Sequence, residues 1–276
     1  MRMSRFINPF TDVGFKRIFG QEFSKPLLLD FLNNLLKGER VITDLRFLDK
    51  EQPAEYRDDR SLIYDIFCET DSGERIIVEM QNREHPNFSD RCLYYASQAI
   101  SRQGERGTEW DYHINAVYLI AFVNFHMDGL GDKFRYDIGL ANMATGKPFS
   151  GKERLVFLQL PYFTKEADKC ENDFERWIYV LKNMETFNRM PWAAKNSVFQ
   201  KLAEVGEVSN LSKEDRIKYD AALRHFRDTL NVMRGAEEKG RKEGKIDIAK
   251  KMKEAGSTIR FIKDMTGLTA DEIRRL

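Results

Sequence analysis

The chain has 276 residues, and its 45 lysines and arginines nearly balance its 44 aspartates and glutamates. An apolar content of 42% with a mean hydropathy of -0.56 is typical of an ordered protein, and it excludes collagen-like, low-complexity and wholly disordered classes. The net charge of +1 gives no overall sign of nucleic-acid binding, so any such binding requires local clusters of charge.

Two helices are predicted before the first strand. Thr11 or Asp12 offers an N-cap for a helix that ends at Gly20, and a wide apolar stripe predicts a second helix from about Ser24. Residues 41–48 are then predicted to form a short strand.

A hairpin follows. Residues 61–70 and 75–81 carry β-branched and aromatic side chains, and the Asp-Ser-Gly-Glu turn between them predicts that the two strands pair. A helix at about 87–104 and a buried strand at 114–125 come next. Two further stretches, 133–140 and 154–160, are predicted to add edge strands.

From residue 167 onward the pattern predicts helices only. Residues 234–276 hold twelve lysines and arginines against eight acidic residues, so this segment carries about four positive charges. Its last part is spaced like two short helices around a turn at 266–268, which is compatible with a degenerate helix-turn-helix. We therefore predict a core at 1–165, a helical extension at 166–233 and a charged helical tail at 234–276.

No segment has the pattern of a membrane span or a secretion signal. The longest apolar run, residues 116–125, is shorter than the roughly 18 residues that a membrane helix needs, and the N-terminal stretch lacks the apolar region of a signal peptide. The three cysteines lie far apart without CxxC spacing, so we predict reduced structural thiols. A cytoplasmic protein without membrane contact is the expectation.

Asp65 and Glu79 are carboxylates inside strands that otherwise favour apolar residues. Strand side chains alternate between faces, so Glu79 and Gln81 share one face, and pairing across the turn can bring Asp65 near them. Two carboxylates suit Mg²⁺ when water and phosphate oxygens complete its shell. The alternative is that both simply face solvent on a half-buried sheet.

The order of Asp65 and then Glu79-Met-Gln81 on a hairpin between helices resembles the PD-(D/E)xK nuclease superfamily. The stretch DVGFKRIFG at residues 12–20, together with Arg91, Tyr95 and Gln103, more closely resembles the Rpn-type recombination-promoting nuclease and transposase family. The resemblance covers most of the chain. It implies an α/β fold with a restriction-endonuclease-like mixed central sheet flanked by helices and an all-helical C-terminal extension.

The resemblance also implies the residues of a metal site. Asp65 and Glu79 would bind Mg²⁺ or Mn²⁺, helped by the backbone carbonyl of Met80. Gln81 stands where the superfamily more often has lysine. A neutral amide can hydrogen-bond to water or phosphate but supplies no charge, so this departure puts the rate of catalysis in question more than metal binding.

Further roles follow from the same resemblance. Lys16 is a candidate for the missing positive charge, and Asp12 is a candidate third acidic group. Gln103, on the helix after the hairpin, is a candidate substrate or supporting contact. Phosphate contacts are assigned to arginines around the same helix: Arg91, Arg102 and Arg106.

These features favour a metal-dependent DNA endonuclease of low sequence specificity, with a homodimer as a further expectation. The alternative is a catalytically weak or inactive nuclease-like scaffold that binds DNA or a protein partner, which Gln81 and the near-neutral charge favour. A third possibility is a transposase-associated accessory that acts through its helical C-terminal part.

Overall fold

The structure is a computed structural model that describes residues 4–52, 62–104 and 110–276. The described chain forms two compact units, Met1–Asp220 and Ala221–Leu276. The predicted three-part division differs from these units and stays a prediction. Arg106, predicted to contact phosphate, lies outside the described residues.

The first unit contains a central sheet and helices that pack against it. Its first elements are α1 (Asp12–Phe19), α2 (Lys25–Leu35), β1 (Leu45–Phe47), β2 (Glu51–Gln52), β3 (Leu62–Ile63), β4 (Ile66–Thr70), β5 (Arg75–Gln81) and α3 (Phe88–Ser101). They are followed by β6 (Val117–Val123), β7 (Arg135–Gly139), β8 (Glu153–Gln159), α4 (Asp173–Asn183) and α5 (Ser197–Gly206). Short 3₁₀ turns lie at Glu22–Ser24, Leu160–Tyr162, Ala167–Lys169, Met184–Thr186 and Val208–Asn210.

The sheet is mixed, with the strand order β1-β4-β5-β6-β8-β7. β1, β4 and β5 pair antiparallel, β5, β6 and β8 pair parallel, and β7 pairs antiparallel with β8. The predicted mixed sheet is therefore confirmed. The prediction that residues 154–160 form an edge strand was wrong, because β8 lies between β6 and β7 and is buried along most of its length.

The predicted strand at 41–48 is shorter in the structure and starts only at Leu45. The reason is local: the backbone amide of Ile42 donates to Asn33 Oδ1, and the Ile42 carbonyl accepts from Asn33 Nδ2, both at 2.8 Å. The Asn33 side chain, on α2, thus binds the amide and the carbonyl of Ile42, which a strand would need for pairing.

Both faces of the sheet are covered. On one face, α3 packs its buried Cys92 and Ala96 against β5, β6 and β8. On the other face, Phe122 of β6 lies 5.6 Å from Phe15 and 5.2 Å from Phe31, measured between ring centroids. These aromatic contacts fix α1 and α2 on the sheet. The three cysteines are free and buried, as predicted.

The second unit is helical. The long helix α6 (Lys213–Glu254) runs through the division between the units, and α7 (Ile259–Thr266) and α8 (Ala270–Arg274) follow it. Gly267 ends α7 at a φ of 69°, and Thr269 forms a capping box with Glu272 at the start of α8. A small core of Ala249, Ile262, Leu268 and Ile273 holds the end of α6 against these helices. The predicted pair of short helices is confirmed.

No helix in the described part of the chain combines the length and the apolar character of a membrane span.

Candidate metal-binding site

The strand predicted at 61–70 is interrupted at Asp65, and this break creates the site. The backbone amide of Asp65 donates to Glu79 Oε1 at 3.3 Å instead of joining the strand ladder. In return, the backbone amide of Met80 donates to Asp65 Oδ2 at 2.9 Å. Because Ile66 pairs with Val78, the two carboxylates meet beside the first residue pair of β4 and β5. The predicted approach of Asp65 to Glu79 is thus present.

The environment of this pair is poor in water. Glu79 is only 6% exposed, so the alternative that it simply faces solvent is wrong. Burial, together with the nearby charge of Asp65, raises the pKa of Glu79 to about 8. Burial also raises the pKa of Asp65, although the Met80 amide opposes this effect. A buried and a half-buried carboxylate, both with raised pKa values, form a site that a cation would stabilise.

Positive charge approaches the pair from two helices. Lys16 of α1 and Arg91 of α3 both act through their charge to lower the pKa of Asp65 and Glu79. Within the described parts of the chain, neither cation forms an ion pair with either carboxylate; Lys16 instead pairs with Asp12 of its own helix. The two cations therefore lie near the carboxylates without forming ion pairs with them.

Gln81 positions one of these cations. Its Oε1 accepts a hydrogen bond from Arg91 Nη2 at 3.0 Å, and its Nε2 donates to the Arg83 carbonyl at 2.9 Å. The Arg91 guanidinium also lies over two rings, 5.1 Å from the centroid of Phe88 and 5.9 Å from that of Tyr95. A fixed guanidinium thus stands beside the position where the superfamily more often has lysine.

The N-terminus of α1 is tied to the end of β5. Thr11 is the N-cap, since its hydroxyl accepts from the Gly14 amide at 3.0 Å, and the same hydroxyl donates to the Asn8 carbonyl. The Asn82 side chain, directly after β5, donates to the Phe10 carbonyl at 2.7 Å. These bonds hold the helix that carries Lys16 against the strand that carries Glu79.

Asp12 does not complete a set of three acidic ligands. Its side chain is 63% exposed and pairs with Lys16. The described residues contain no group of three or more His, Cys, Asp or Glu side chains that could hold a metal. Asp65 and Glu79 are therefore the two candidate side-chain donors of the site.

Gln103 lies elsewhere. Its Nε2 donates to the carbonyls of Ala99 and Asn115, and its Oε1 accepts from the Asn115 amide at 2.7 Å. These hydrogen bonds connect the end of α3 to the residues that precede β6. At the same end of the sheet, Val117 of β6 pairs with Arg75 at the start of β5. The expected contact of Gln103 with the site is therefore corrected: the residue serves the opposite end of the strands from Glu79.

Arg102 is the C-cap of α3. It lies eleven positions after Arg91, which corresponds to about 16 Å along the helix axis. The structure thus places Arg91, but not Arg102, next to the carboxylates. A phosphate contact by Arg102 stays a prediction for a more distant part of a nucleic acid.

The sequence interpretation missed the surroundings of Arg91. A cavity lies beside it, between the start of α3 and the residues after β6, and Phe88 and Phe125 belong to its lining. The apolar character of both residues was visible in the sequence, but helix and strand periodicity predicts burial and not the presence of a cavity.

A comparison of the sequence with models of known protein families identifies the family of this chain. A family model described as PD-(D/E)XK nuclease family transposase matches residues 9–236, which include α1, the hairpin, the sheet and α3. Neither the curated proteins nor the solved structures give a match. The mixed six-stranded sheet with flanking helices agrees with the restriction-endonuclease-like fold of that family. The family match covers most of the chain, and the protein therefore belongs to the PD-(D/E)XK nuclease family transposases.

Proposed function

We propose that the protein is a DNA endonuclease of low sequence specificity that depends on Mg²⁺ or Mn²⁺. The observation that carries the proposal is the pair of the buried Glu79 and the half-buried Asp65, in which Glu79 accepts from the Asp65 amide and Asp65 accepts from the Met80 amide. Within the described residues, these bonds leave Asp65 Oδ1 and Glu79 Oε2 without a hydrogen bond. One oxygen of each carboxylate is thus available as a hard ligand, which fits either cation.

Asp65 and Glu79 would hold the metal, and the Met80 carbonyl is a third candidate donor. When bound, the metal supplies polarisation of the phosphodiester and a lower pKa for an attacking water. The backbone amide of Met80 donates to the Asp65 carboxylate, and the backbone amide of Asp65 donates to the Glu79 carboxylate. These two hydrogen bonds orient both carboxylates before substrate arrives. The charge that develops on phosphate would be stabilised by Arg91, which Gln81 orients, and by Lys16.

Low specificity follows from the kind of contact expected. Arg91 and Lys16 are cations suited to phosphate, and phosphate contacts position a duplex without reading its sequence. The near-neutral total charge supports local rather than extensive DNA contact. We further propose a cytoplasmic location and a homodimer; light scattering of the purified chain tests the latter.

Nicking of supercoiled plasmid tests the proposed activity. We expect nicking by the wild type with Mg²⁺ or Mn²⁺, and a loss of at least about 100-fold in Asp65→Ala and Glu79→Ala. Asp111→Asn is a matched control, because it removes an exposed carboxylate before β6, at the other end of the strands, and can keep the bond to the His113 amide.

Equal nicking by all variants would refute the assigned site. DNA binding without nicking by any protein would support the alternative of an inactive scaffold. The orientation of Arg91 by Gln81 favours the enzyme over this scaffold, because it holds a cation beside the position at which the superfamily more often has lysine.

A further inference from the structure

A cavity of about 570 Å³ opens at the carboxyl ends of β5 and β6. Its volume lies within the roughly 300–1,000 Å³ range of small-molecule pockets. It is enclosed by the loop after β5, the start of α3 and the residues after β6. Its lining consists of four apolar residues, Pro86, Phe88, Phe125 and Met127, and four polar residues, Glu84, His85, Ser89 and Asp128.

The apolar part of the cavity is an aromatic corner. The rings of Phe88 and Phe125 lie 6.0 Å apart at an angle of 73°. Phe88 and Met127 are buried, whereas Phe125 is half-buried and has ring surface left to contact a ligand. Aromatic rings of this kind bind nucleobases by stacking, whatever the base, because every base has a flat face.

Arg91 connects this corner to the proposed metal site. The same guanidinium that lies 5.1 Å from the Phe88 ring centroid donates to Gln81 Oε1 at 3.0 Å. Gln81 is two residues from Glu79 on the same face of β5. A nucleotide whose phosphate is held by Arg91 would therefore have its base within reach of the cavity.

The polar part of the cavity offers hydrogen bonds to the edge of a base. Glu84 and Asp128 are exposed carboxylates, which accept hydrogen bonds. His85 Nδ1 accepts from the Asn87 amide at 3.3 Å, so the neutral ring carries its proton on Nε2 and can donate there. An acceptor beside a donor can pair with the polar edge of any unstacked base, because each of the four bases carries both donors and acceptors on that edge.

We propose that this cavity binds an unstacked nucleobase from the DNA strand beside the phosphate held by Arg91. The inference rests on the proposed nuclease function and extends it to the binding of one extruded base. Enzymes that act on extruded nucleotides read the base in this way, by stacking and by hydrogen bonds to its polar edge.

The test measures binding in EDTA, so that no cleavage is required. Fluorescence anisotropy compares duplexes that carry one unpaired cytosine, one unpaired thymine or one abasic site at the same position. We expect the cytosine duplex to bind about 5-fold to 100-fold more tightly than the abasic one, which corresponds to stacking of a single base. The thymine duplex should bind about as tightly as the cytosine duplex.

Two variants assign the effect to the cavity. Phe125→Leu should remove most of the advantage of the cytosine and thymine duplexes over the abasic one, and Asp128→Asn should reduce that advantage. Asp128 is exposed, so its variant keeps the test valid if Phe125→Leu disturbs folding. Asp111→Asn, with the same chemical change before β6, should retain the full preference.

The results separate this inference from the proposed activity. Equal affinity for the three duplexes, with plasmid nicking that depends on Asp65 and Glu79, overturns the cavity assignment and leaves the nuclease proposal in place. A preference for the base-containing duplexes that Phe125→Leu or Asp128→Asn reduces, in a protein that never nicks DNA, supports the base site and overturns the nuclease. Equal affinity without nicking overturns both.

Discussion

Glu79 is the residue whose environment differs most from water, and its protonation affects stability. The carboxyl has a pKa of about 8 in the folded protein, against an ordinary value of 4.5. Between these values the folded state keeps a proton that the unfolded chain releases, so the free energy of unfolding should fall as pH rises from about 4.5 to 8. Above pH 8 this contribution should be constant.

Denaturant titrations in EDTA at several pH values measure this fall. Glu79→Gln should remove most of this pH dependence, because the glutamine amide does not ionise. The variant should also stabilise the metal-free protein at pH 8 by about 1–3 kcal/mol, since no charge is buried and the amide oxygen can still accept from the Asp65 backbone amide. Mn²⁺ should stabilise the wild type at pH 8 but have little effect on this variant. An unchanged pH profile in Glu79→Gln would contradict the assignment.

Arg91 and Gln81 form the second pair that can be tested at the residue scale. Arg91→Ala should lower the nicking rate by about 100-fold to 1,000-fold, the usual effect of removing one group that stabilises transition-state charge. In that background, Gln81→Lys should recover about tenfold, because it returns a cation beside Glu79. Single-turnover rates with saturating enzyme test both variants, and a further loss in the double variant would show that position 81 cannot hold this charge.

The sequence predicted the carboxylate pair, and Lys16 and Arg91 were named as candidate cations, but the way Gln81 holds Arg91 was not predicted. Strand alternation and pairing across the turn were sufficient to bring Asp65 to Glu79. The hydrogen bond between Arg91 and Gln81 joins a helix to a strand end, and helical spacing does not specify such a contact. Gln103 was misplaced for the same reason, because its bonds to Asn115 depend on where α3 ends relative to β6.

At the scale of elements, α1 depends on the absence of a side chain at Gly14. A Cβ at this position would lie 2.2 Å from the Asn8 carbonyl oxygen and 2.7 Å from Thr11 Oγ1. Gly14→Ala should therefore destabilise the protein by about 1–3 kcal/mol, although alanine is normally better than glycine in a helix by about 1 kcal/mol.

Gly235→Ala is the matched control for this prediction. Gly235 also lies within a helix, and a Cβ there meets no atom within 4 Å, so alanine should stabilise the protein slightly. Thermal unfolding of both variants measures whether each substitution stabilises or destabilises the protein. A stabilising Gly14→Ala would mean that the N-terminus of α1 does not approach Asn8 as closely as described.

The element boundaries show where local patterns are sufficient. Thr11 was one of two predicted N-caps, and the structure selects it because its hydroxyl reaches the Gly14 amide. Residues 75–81 were predicted as a strand with the bounds that β5 has. The position of β8 inside the sheet required knowledge of β7, which folds back on its outer side, and strand order is a property of the tertiary fold.

At the scale of the whole molecule, charge is distributed unevenly along the chain. Residues 234–276 carry about four net positive charges in a protein whose total is +1. The rest of the chain, which contains the proposed metal site, is therefore slightly negative. A cationic tail is a source of phosphate contacts that need no defined base-reading surface.

Removal of residues 234–276 tests the contribution of this tail. The truncated chain keeps the first part of α6, where the Tyr219 hydroxyl accepts from the Asn8 amide at 2.8 Å, so the first unit retains this contact. We expect DNA affinity to fall and the slope of log affinity against log salt to become shallower by about 2 to 4. Stabilisation by Mn²⁺ at pH 8 should persist, because Asp65 and Glu79 remain. An unchanged salt slope would exclude the tail from the DNA-binding surface, and a loss of Mn²⁺ stabilisation would show that the metal site needs the second unit.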